Sequence, residues 1–149
     1  MQTIDVSFDL NVSAESVWPF VTDFLNIELW WPRHGSVEIE RVEVEGEGIG
    51  GVRHIYNKGF PHAISERLDY LEPEQLLWKL SIVCDRPVGL TQYQATGQLI
   101  PVNDETCKLT YHSEFETTPG REEEAREFLL GAYDLMKTGL EGAAQYAEF

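Results

Sequence analysis

Three patterns in the sequence predict an α+β fold in which a curled, seven-stranded antiparallel sheet wraps around one long C-terminal helix, with two short helices between the first and second strands. The first pattern is a helical period at the C-terminal end. The second is a series of segments that alternate apolar and polar residues, each with one dry face. The third is the scarcity of any other helix long enough to act as a cover, which an antiparallel sheet with a single buried face requires.

Ile4, Val6, Phe8, Leu10 and Val12 alternate with Thr3, Asp5, Ser7, Asp9 and Asn11, the period of two that marks strand one. Ser13 then caps a short helix, with Glu15 in its first turn and Val17, Phe20 and Val21 as its apolar positions. Pro19 limits its regularity. A second short helical piece runs from about Thr22 to Leu29 and stops at Trp30-Trp31-Pro32, where two adjacent indoles cannot both face one core in a regular element. They either close the core beneath a loop or take part in binding.

Val37 and Ile39 share one parity and Val42 and Val44 the other, so a β-bulge is expected near Glu40 and Arg41, and with it a bent strand. Glu45 to Gly51 is rich in glycine, but it is acidic and a strand follows it. A phosphate loop needs a following helix whose N-terminus meets the anion, so nucleotide binding is excluded. Val52 to Asn57 and His62 to Leu71 are strands three and four, joined by Lys58-Gly59-Phe60-Pro61. Ile64, Leu68 and Tyr70 define the dry parity of strand four, and Glu66 shares it. A carboxylate there is costly unless paired. Antiparallel pairing across the connection sets Arg53 opposite Glu66 and Ile55 opposite Ile64, which supplies the partner; the alternative leaves Glu66 in solvent at a strand end.

Leu76, Trp78, Leu80 and Ile82 alternate with Leu77, Lys79, Ser81 and Val83 as strand five, and Cys84 to Gly89 turns the chain. Strand six directs Tyr93, Ala95, Gly97 and Leu99 inward, an unusually small inner face. Strand seven follows the Asn103-Asp104-Glu105 turn and directs Cys107, Leu109, Tyr111, Ser113 and Phe115 inward. Two strand spacings of roughly 4.8 Å separate strands five and seven, beyond the roughly 7 Å between Cα atoms that a disulfide spans, so Cys84 and Cys107 are expected as free thiols.

The segment from Pro119 to Phe149 is the long helix. Ala125, Phe128, Leu129, Ala132, Leu135, Met136, Leu140, Ala143 and Ala147 recur at spacings of three and four, with Glu124, Glu127, Asp134, Lys137, Glu141 and Glu148 on the other side. Thr118 is the expected N-cap and Pro119 the first helical residue, followed by Glu122, Glu123 and Glu124 at the positive end of the dipole. Gly131, Gly139 and Gly142 each cost about 1 kcal/mol relative to Ala in a helix. They indicate either close backbone packing or space for a molecule bound beneath the helix.

At 149 residues the chain is read as one domain, 1–149, with no linker or repeat. The formal charge of −15 disfavours nucleic acid and anionic lipid surfaces, which need clustered Lys and Arg. No apolar run approaches the roughly 20 residues of a membrane span and no leader pattern precedes strand one, so a soluble cytoplasmic protein without membrane insertion is expected. His34, His54, His62 and His112 are scattered without metal-ligand spacing, no nucleophile elbow is present, and the residues call for no cofactor or metal.

The order of elements, with Ser13-Ala14-Glu15-Ser16-Val17-Trp18, Gly50-Gly51-Val52-Arg53, Ser65-Glu66-Arg67-Leu68 and Tyr93, resembles the START-like (SRPBCC) superfamily across nearly the whole chain. This is the helix-grip fold of polyketide cyclase and dehydrase relatives, plant abscisic acid receptors and the birch pollen allergen. The resemblance implies a cavity between sheet and helix that takes an apolar molecule. By comparison with the abscisic acid receptors, Arg53, Glu66 and Tyr93 match polar residues that point into the cavity, and Lys58 to His62 matches the gate loop. Strand two, Val37 to Glu45, lacks a lysine for a ligand carboxylate and Ala95 stands in place of a cavity serine, so hormone sensing is not implied.

The resulting candidate ligand contacts are Arg53, Ile55, Glu66, Trp78, Leu80, Tyr93, Ala95, Tyr111 and Ser113 from the sheet, Phe60 from the loop, and Phe128 and Ala132 from the helix. Phe8, Trp78, Leu80, Leu99, Leu109 and Phe115 are expected to be buried. The small inward residues Ala95, Gly97 and Ser113, with Gly131 and Gly139 above them, predict a cavity of a few hundred Å³. Three functions fit: binding of a small lipid, polyketide or aromatic compound; cyclase-like or dehydratase-like acid–base chemistry by Glu66 and Tyr93 with Arg53; and a chaperone-linked interaction domain, suggested by the likeness of Trp30-Trp31-Pro32 to chaperone activators of the superfamily.

Overall fold

The alternating segments form strands β1 (Gln2–Leu10), β2 (Ile39–Glu45), β3 (Val52–Asn57), β4 (Ile64–Glu72), β5 (Leu77–Val83), β6 (Leu90–Pro101) and β7 (Cys107–Thr117) in a computed structural model that describes residues 1–147. They make one seven-stranded sheet in the order β1-β7-β6-β5-β4-β3-β2, every neighbour antiparallel. Helix α1 (Ala14–Thr22) is capped by Ser13, whose hydroxyl accepts the Ser16 N–H at 3.1 Å. A 3-10 segment, Phe24–Leu29, follows and is broken at Asn26. The long helix α2 (Glu122–Ala147) buries Ala125, Leu129, Tyr133, Met136, Gly139, Leu140 and Ala144. Glu148 and Phe149, expected in the same helix, lie outside the described residues.

The predicted helix-grip α+β architecture is what the chain adopts. Register shifts occur between Ile39 and Arg41, where the parity switch predicts a bulge, and also between Leu68 and Tyr70 and between Leu90 and Gln92. The shift in β4 turns Tyr70 away from the face it shares by parity with Leu68, and it is 43% exposed. Val44, expected on a dry face, is 52% exposed because β2 is an edge strand beyond the reach of α2. Phe8 is only half-buried, on the opposite edge strand, whereas Trp78, Leu80, Leu99, Leu109 and Phe115 are buried.

Helix α2 starts later than the Thr118 and Pro119 signals indicate. Its first bond runs from the Ala125 N–H to the Arg121 carbonyl at 3.0 Å, and Thr118 to Gly120 form a turn with Gly120 at φ +86°. The Thr118 N–H is spent on the Gly89 carbonyl at 2.9 Å, which ties this turn to the β5–β6 connection instead. Arg121 reaches forward to Glu124 through Nε and Nη2 at 2.8 and 2.7 Å. Leu76 adopts φ +52° and stays outside β5, while Val12 is buried beyond the end of β1.

The helical glycines divide. A Cβ at Gly139 would overlap the Trp30 carbonyl oxygen and crowd Pro32 Cδ at 2.9 Å, so the helix backbone packs closely there, against the Trp30–Pro32 segment and not against the sheet. At Gly131 a Cβ would meet only Ser36 Oγ, at 3.2 Å. Nothing in the structure explains Gly142, which faces open space.

Candidate functional site

The β3–β4 ladder pairs Arg53 with Glu66 and Ile55 with Ile64, the register expected from the connection between them. Both charged side chains turn to the inner face, where Arg53 Nε donates to Glu66 Oε1 at 2.8 Å. The Arg53 side chain is 7% exposed and that of Glu66 18%, so the pair is largely desolvated. Arg53 also donates through Nη1 to the Phe24 carbonyl at 2.8 Å and stacks on the Phe24 ring with 3.9 Å to its centroid. The guanidinium is thereby fixed from two elements, and the Phe24 carbonyl of the 3-10 segment gains a charged donor.

A second polar group lies between the sheet and α2. Tyr133 donates to Ser113 Oγ at 2.8 Å, and Tyr93 meets the Tyr133 hydroxyl at 2.6 Å. A phenol has one proton, so with Tyr133 donating to Ser113 it is Tyr93 that donates to Tyr133. Tyr111 packs edge-on against Tyr133 with centroids 4.8 Å apart. Burial, followed by the neighbouring Tyr111 and Tyr133, pushes the Tyr93 hydroxyl well above the ordinary tyrosine value. Burial and then Tyr133 do the same to Tyr111, and burial pushes Tyr133 up to about 12 against the lowering effect of its bond to Ser113. At neutral pH these three hydroxyls are donors and not bases. The sequence reading joins Tyr93 to the Arg53–Glu66 pair; in the fold its hydroxyl is committed to Tyr133 on the helix instead.

Between these two groups lies a cavity of about 100 Å³. Nine of the candidate contacts line it: Arg53, Ile55, Glu66, Trp78, Leu80, Tyr93, Tyr111, Phe128 and Ala132. Phe60, Ala95 and Ser113 do not. Phe60 instead stacks edge-on against Phe128 at 5.7 Å, Ala95 is buried within β6, and Ser113 is taken up by Tyr133. The volume falls short of the few hundred Å³ expected from the small inward residues, because the space above Gly97 is already filled: a Cβ there would overlap the Trp78 indole. Trp78 in turn stands 6.3 Å from both Trp18 and Tyr111.

The lining also includes residues outside the candidate set. Trp30 and Trp31 both face the cavity, with Trp31 Nε1 donating to the Val37 carbonyl at 3.0 Å. Tyr133 was detectable, since 129, 133, 136 and 140 continue the helical spacing of the buried face. Asn57 shares the inward parity of Arg53 and Ile55. Two of the lining residues, Trp30 and Asn57, each carry a fully buried polar atom, Nε1 and Oδ1, that has no hydrogen-bond partner among the described residues. Leaving a buried polar group unsatisfied typically costs about 1–3 kcal/mol.

Among the described residues no group of three or more His, Cys, Asp or Glu side chains is placed to hold a metal ion. The histidines are engaged separately: His54 with Ser65 and Glu45, His112 with Asp5, His62 beside Asp85, and His34 beside Glu38. Cys84 is exposed and Cys107 buried, both as free thiols, with burial and then Glu141 pushing Cys107 up to about 11. Among the described residues no helix is long and apolar enough to cross a membrane.

Comparison with known proteins agrees with this geometry. A family described as "Polyketide cyclase / dehydrase and lipid transport" matches residues 1–148. No curated protein matches the sequence. Among solved structures, a point mutant of norcoclaurine synthase from Thalictrum flavum, in complex with a transition-state analogue, superposes with a TM-score of 0.82 at 17% identity, covering 99% of this chain and 96% of that one. XoxI from Bacillus cereus gives 0.81 at 24% identity, with 100% and 99% covered. The Zhui aromatase/cyclase from Streptomyces sp. R1128 gives 0.75 at 18% identity, with 97% and 93% covered. At these identities the likeness is one of fold.

Proposed function

This chain belongs to the polyketide cyclase/dehydrase and lipid transport family, and we propose that it binds a small apolar molecule, a lipid, polyketide or aromatic compound, in the cavity between the sheet and α2. The observation that carries this reading is the composition of the lining. It is built of aromatic and aliphatic side chains, and its two charged residues among those described, Arg53 and Glu66, neutralise one another. Convergent polar groups in an apolar enclosure are the usual form of a small-molecule site. At about 100 Å³ the cavity is smaller than the roughly 150 Å³ known to hold benzene, so an extended chain is disfavoured and one small ring is the most it takes without movement of its walls. Both adjacent indoles, Trp30 and Trp31, line the cavity, which supports ligand binding over a chaperone-linked docking role for that segment.

A native mass spectrum of the purified protein, followed by titration of its tryptophan fluorescence with fatty and aromatic compounds, tests the reading. Three of the four tryptophans line the cavity, so a saturable one-to-one change is expected. A strictly linear, unsaturable response to every compound would reject it.

Acid–base chemistry of the cyclase or dehydratase kind is the second reading, and one observation favours it. Glu66 is the sole carboxylate among the described lining residues, and Tyr93, Tyr111 and Tyr133 line the same cavity with their protons held. Such a pairing offers a proton acceptor and donors within one enclosure. Glu66→Gln separates the two readings: in a carrier it weakens binding, whereas in an enzyme it leaves binding largely intact and stops turnover.

A further inference from the structure

One wall of the cavity is fastened differently from the rest. The strands are laddered to their neighbours, α2 packs on β1, β7 and α1, and the 3-10 segment is tied to the sheet by the bond from Arg53 to the Phe24 carbonyl. The segment that contributes Trp30, Trp31 and Val37 to the lining is bonded to the rest of the fold only at its ends. At one end the Trp30 and Trp31 N–H groups donate to the Ile27 carbonyl at 3.2 and 2.9 Å; at the other the Glu38 carbonyl accepts from the Lys58 N–H at 3.0 Å. Among the described residues no hydrogen bond or ion pair joins positions 32–37 to the sheet or to α2. The two ends are braced to each other instead, since Trp31 Nε1 donates to the Val37 carbonyl at 3.0 Å. The result is a closed surface loop able to move as one piece.

What holds this loop down is contact with one face of α2. Ser36 Oγ faces Gly131, Gly35 lies against the Leu135 side chain, and the Trp30 carbonyl and Pro32 lie against Gly139. Positions 131, 135 and 139 are four apart, so the loop runs antiparallel to the helix along a single stripe. A glycine on one side of each contact lets the two surfaces approach closely, and none of the three contacts is a hydrogen bond. Trp30 Nε1 has no partner in this closed position. Lifting the loop hydrates that N–H, which offsets part of the cost of uncovering the ring.

We infer that residues 30–37 form a lid, hinged at the Ile27 and Glu38 carbonyls and latched on Gly131, Leu135 and Gly139, and that a ligand enters and leaves beneath it. The inference rests on the binding function proposed above. With the lid down, the cavity of about 100 Å³ takes one small ring at most; with it raised, room for a second ring comes from the space that the indoles of Trp30 and Trp31 vacate.

Toluene, with one ring, and tetralin, with two fused rings, are the probes, followed on the full chain by stopped-flow tryptophan fluorescence and by calorimetry. A Cβ at Gly131 would stand 3.2 Å from Ser36 Oγ, close to the separation that a disulfide spans. Ser36→Cys with Gly131→Cys, in a Cys84→Ser background that removes the exposed thiol, therefore gives a lid that oxidation locks and reduction frees. Locking is expected to slow toluene association and release at least about ten-fold and to abolish tetralin binding, and reduction to restore both. Leu135→Ala, outside the cavity lining, loosens the latch without a cross-link. It is expected to speed toluene association and release together by about three-fold, with Kd changed less than about two-fold. This variant truncates a half-buried side chain, so a double-cysteine protein that fails to fold or to cross-link leaves the test intact. Toluene rates or tetralin affinity that are the same locked and free, or toluene rates unmoved in Leu135→Ala, overturn the lid while leaving the binding function in place. Saturable binding of neither probe to the parent protein overturns both.

Discussion

The two halves of the sheet are built from the same alternating pattern and do opposite things. In the β1-β7-β6 half the inward residues Leu10, Leu99, Leu109 and Phe115 are at most 1% exposed, and only Tyr93 and Tyr111 of these strands reach the cavity. In the β5-β4-β3 half nearly every inward residue, from Ile82, Leu80 and Trp78 to Glu66, Ile64 and Arg53, lines it. The difference lies in what each half is covered by. Helix α2 packs on β1 and β7 directly, with α1 beside it, whereas over the other half Phe128, Ala132 and Tyr133 of α2 are joined by the 3-10 segment and by Trp30, Trp31 and Val37, and these leave space beneath them. One half supplies stability, and the other is free to hold a ligand.

The largest effect expected from this division is in the filled half. Phe115→Ala, at a residue fully removed from solvent, is expected to cost about 3–5 kcal/mol in denaturant unfolding, with ligand affinity per folded molecule unchanged. If its cost falls below that of a comparable truncation in the cavity half, such as Ile82→Ala, the division is wrong.

Next in size is the ion pair. Arg53→Met leaves Glu66 desolvated without its partner and is expected to cost about 3 kcal/mol, the low end for a broken buried pair because Glu66 keeps some contact with water. Replacing both residues with apolar ones is expected to be less harmful than the single change. A double variant as unstable as the single one would show that the pair contributes net stability on its own account.

Two glycines in one helix sharpen the comparison, because their replacements differ in sign. Gly139→Ala meets the Trp30 carbonyl and is expected to destabilise by about 1–3 kcal/mol as the roof segment is pushed away. Gly142→Ala enters open space and is expected to stabilise by about 1 kcal/mol through helix propensity alone. Thermal melts of the two variants in parallel check both.

The effect of pH is the smallest near neutrality and grows only in alkaline solution. Tyr133, at about 12, and Cys107, at about 11, hold their protons more tightly folded than unfolded. Below about pH 8 both states are protonated and nothing changes. Between the unfolded and folded values the unfolded chain binds fewer protons, so stability falls as pH rises. Stability is expected to be level from pH 7 to about 8 and to decline above it, with phenolate absorbance from the buried tyrosines appearing together with loss of structure. Phenolate absorbance from these residues in a chain that stays folded would contradict their burial.

Much of this division could be read from residues alone, and the reason is locality. A short connection between β3 and β4 sets the register that brings Arg53 opposite Glu66, so a two-residue period is enough to find the pair. The bulge in β2 is visible as a change of parity, whereas the one in β4 leaves no such mark, because Tyr70 is apolar enough to pass as inward. Tyr133 passes for a polar position on a helix whose apolar spacing it in fact completes. The cavity volume depends on one rotamer, that of Trp78 over Gly97, and the presence of Trp30 in its lining depends on how a loop folds over the sheet. Neither is encoded in any local pattern.

The claim that the loosely roofed half of the sheet is a ligand site is tested most directly by filling it. Ala132 lines the cavity from α2 and is half-buried, so Ala132→Phe places a ring where the ligand is expected to sit. The variant is expected to melt no more than a few degrees away from the parent and to lose the saturable tryptophan response to aromatic compounds that the parent gives. A variant that folds normally and still binds them with parental affinity would contradict the assignment of this cavity as the site.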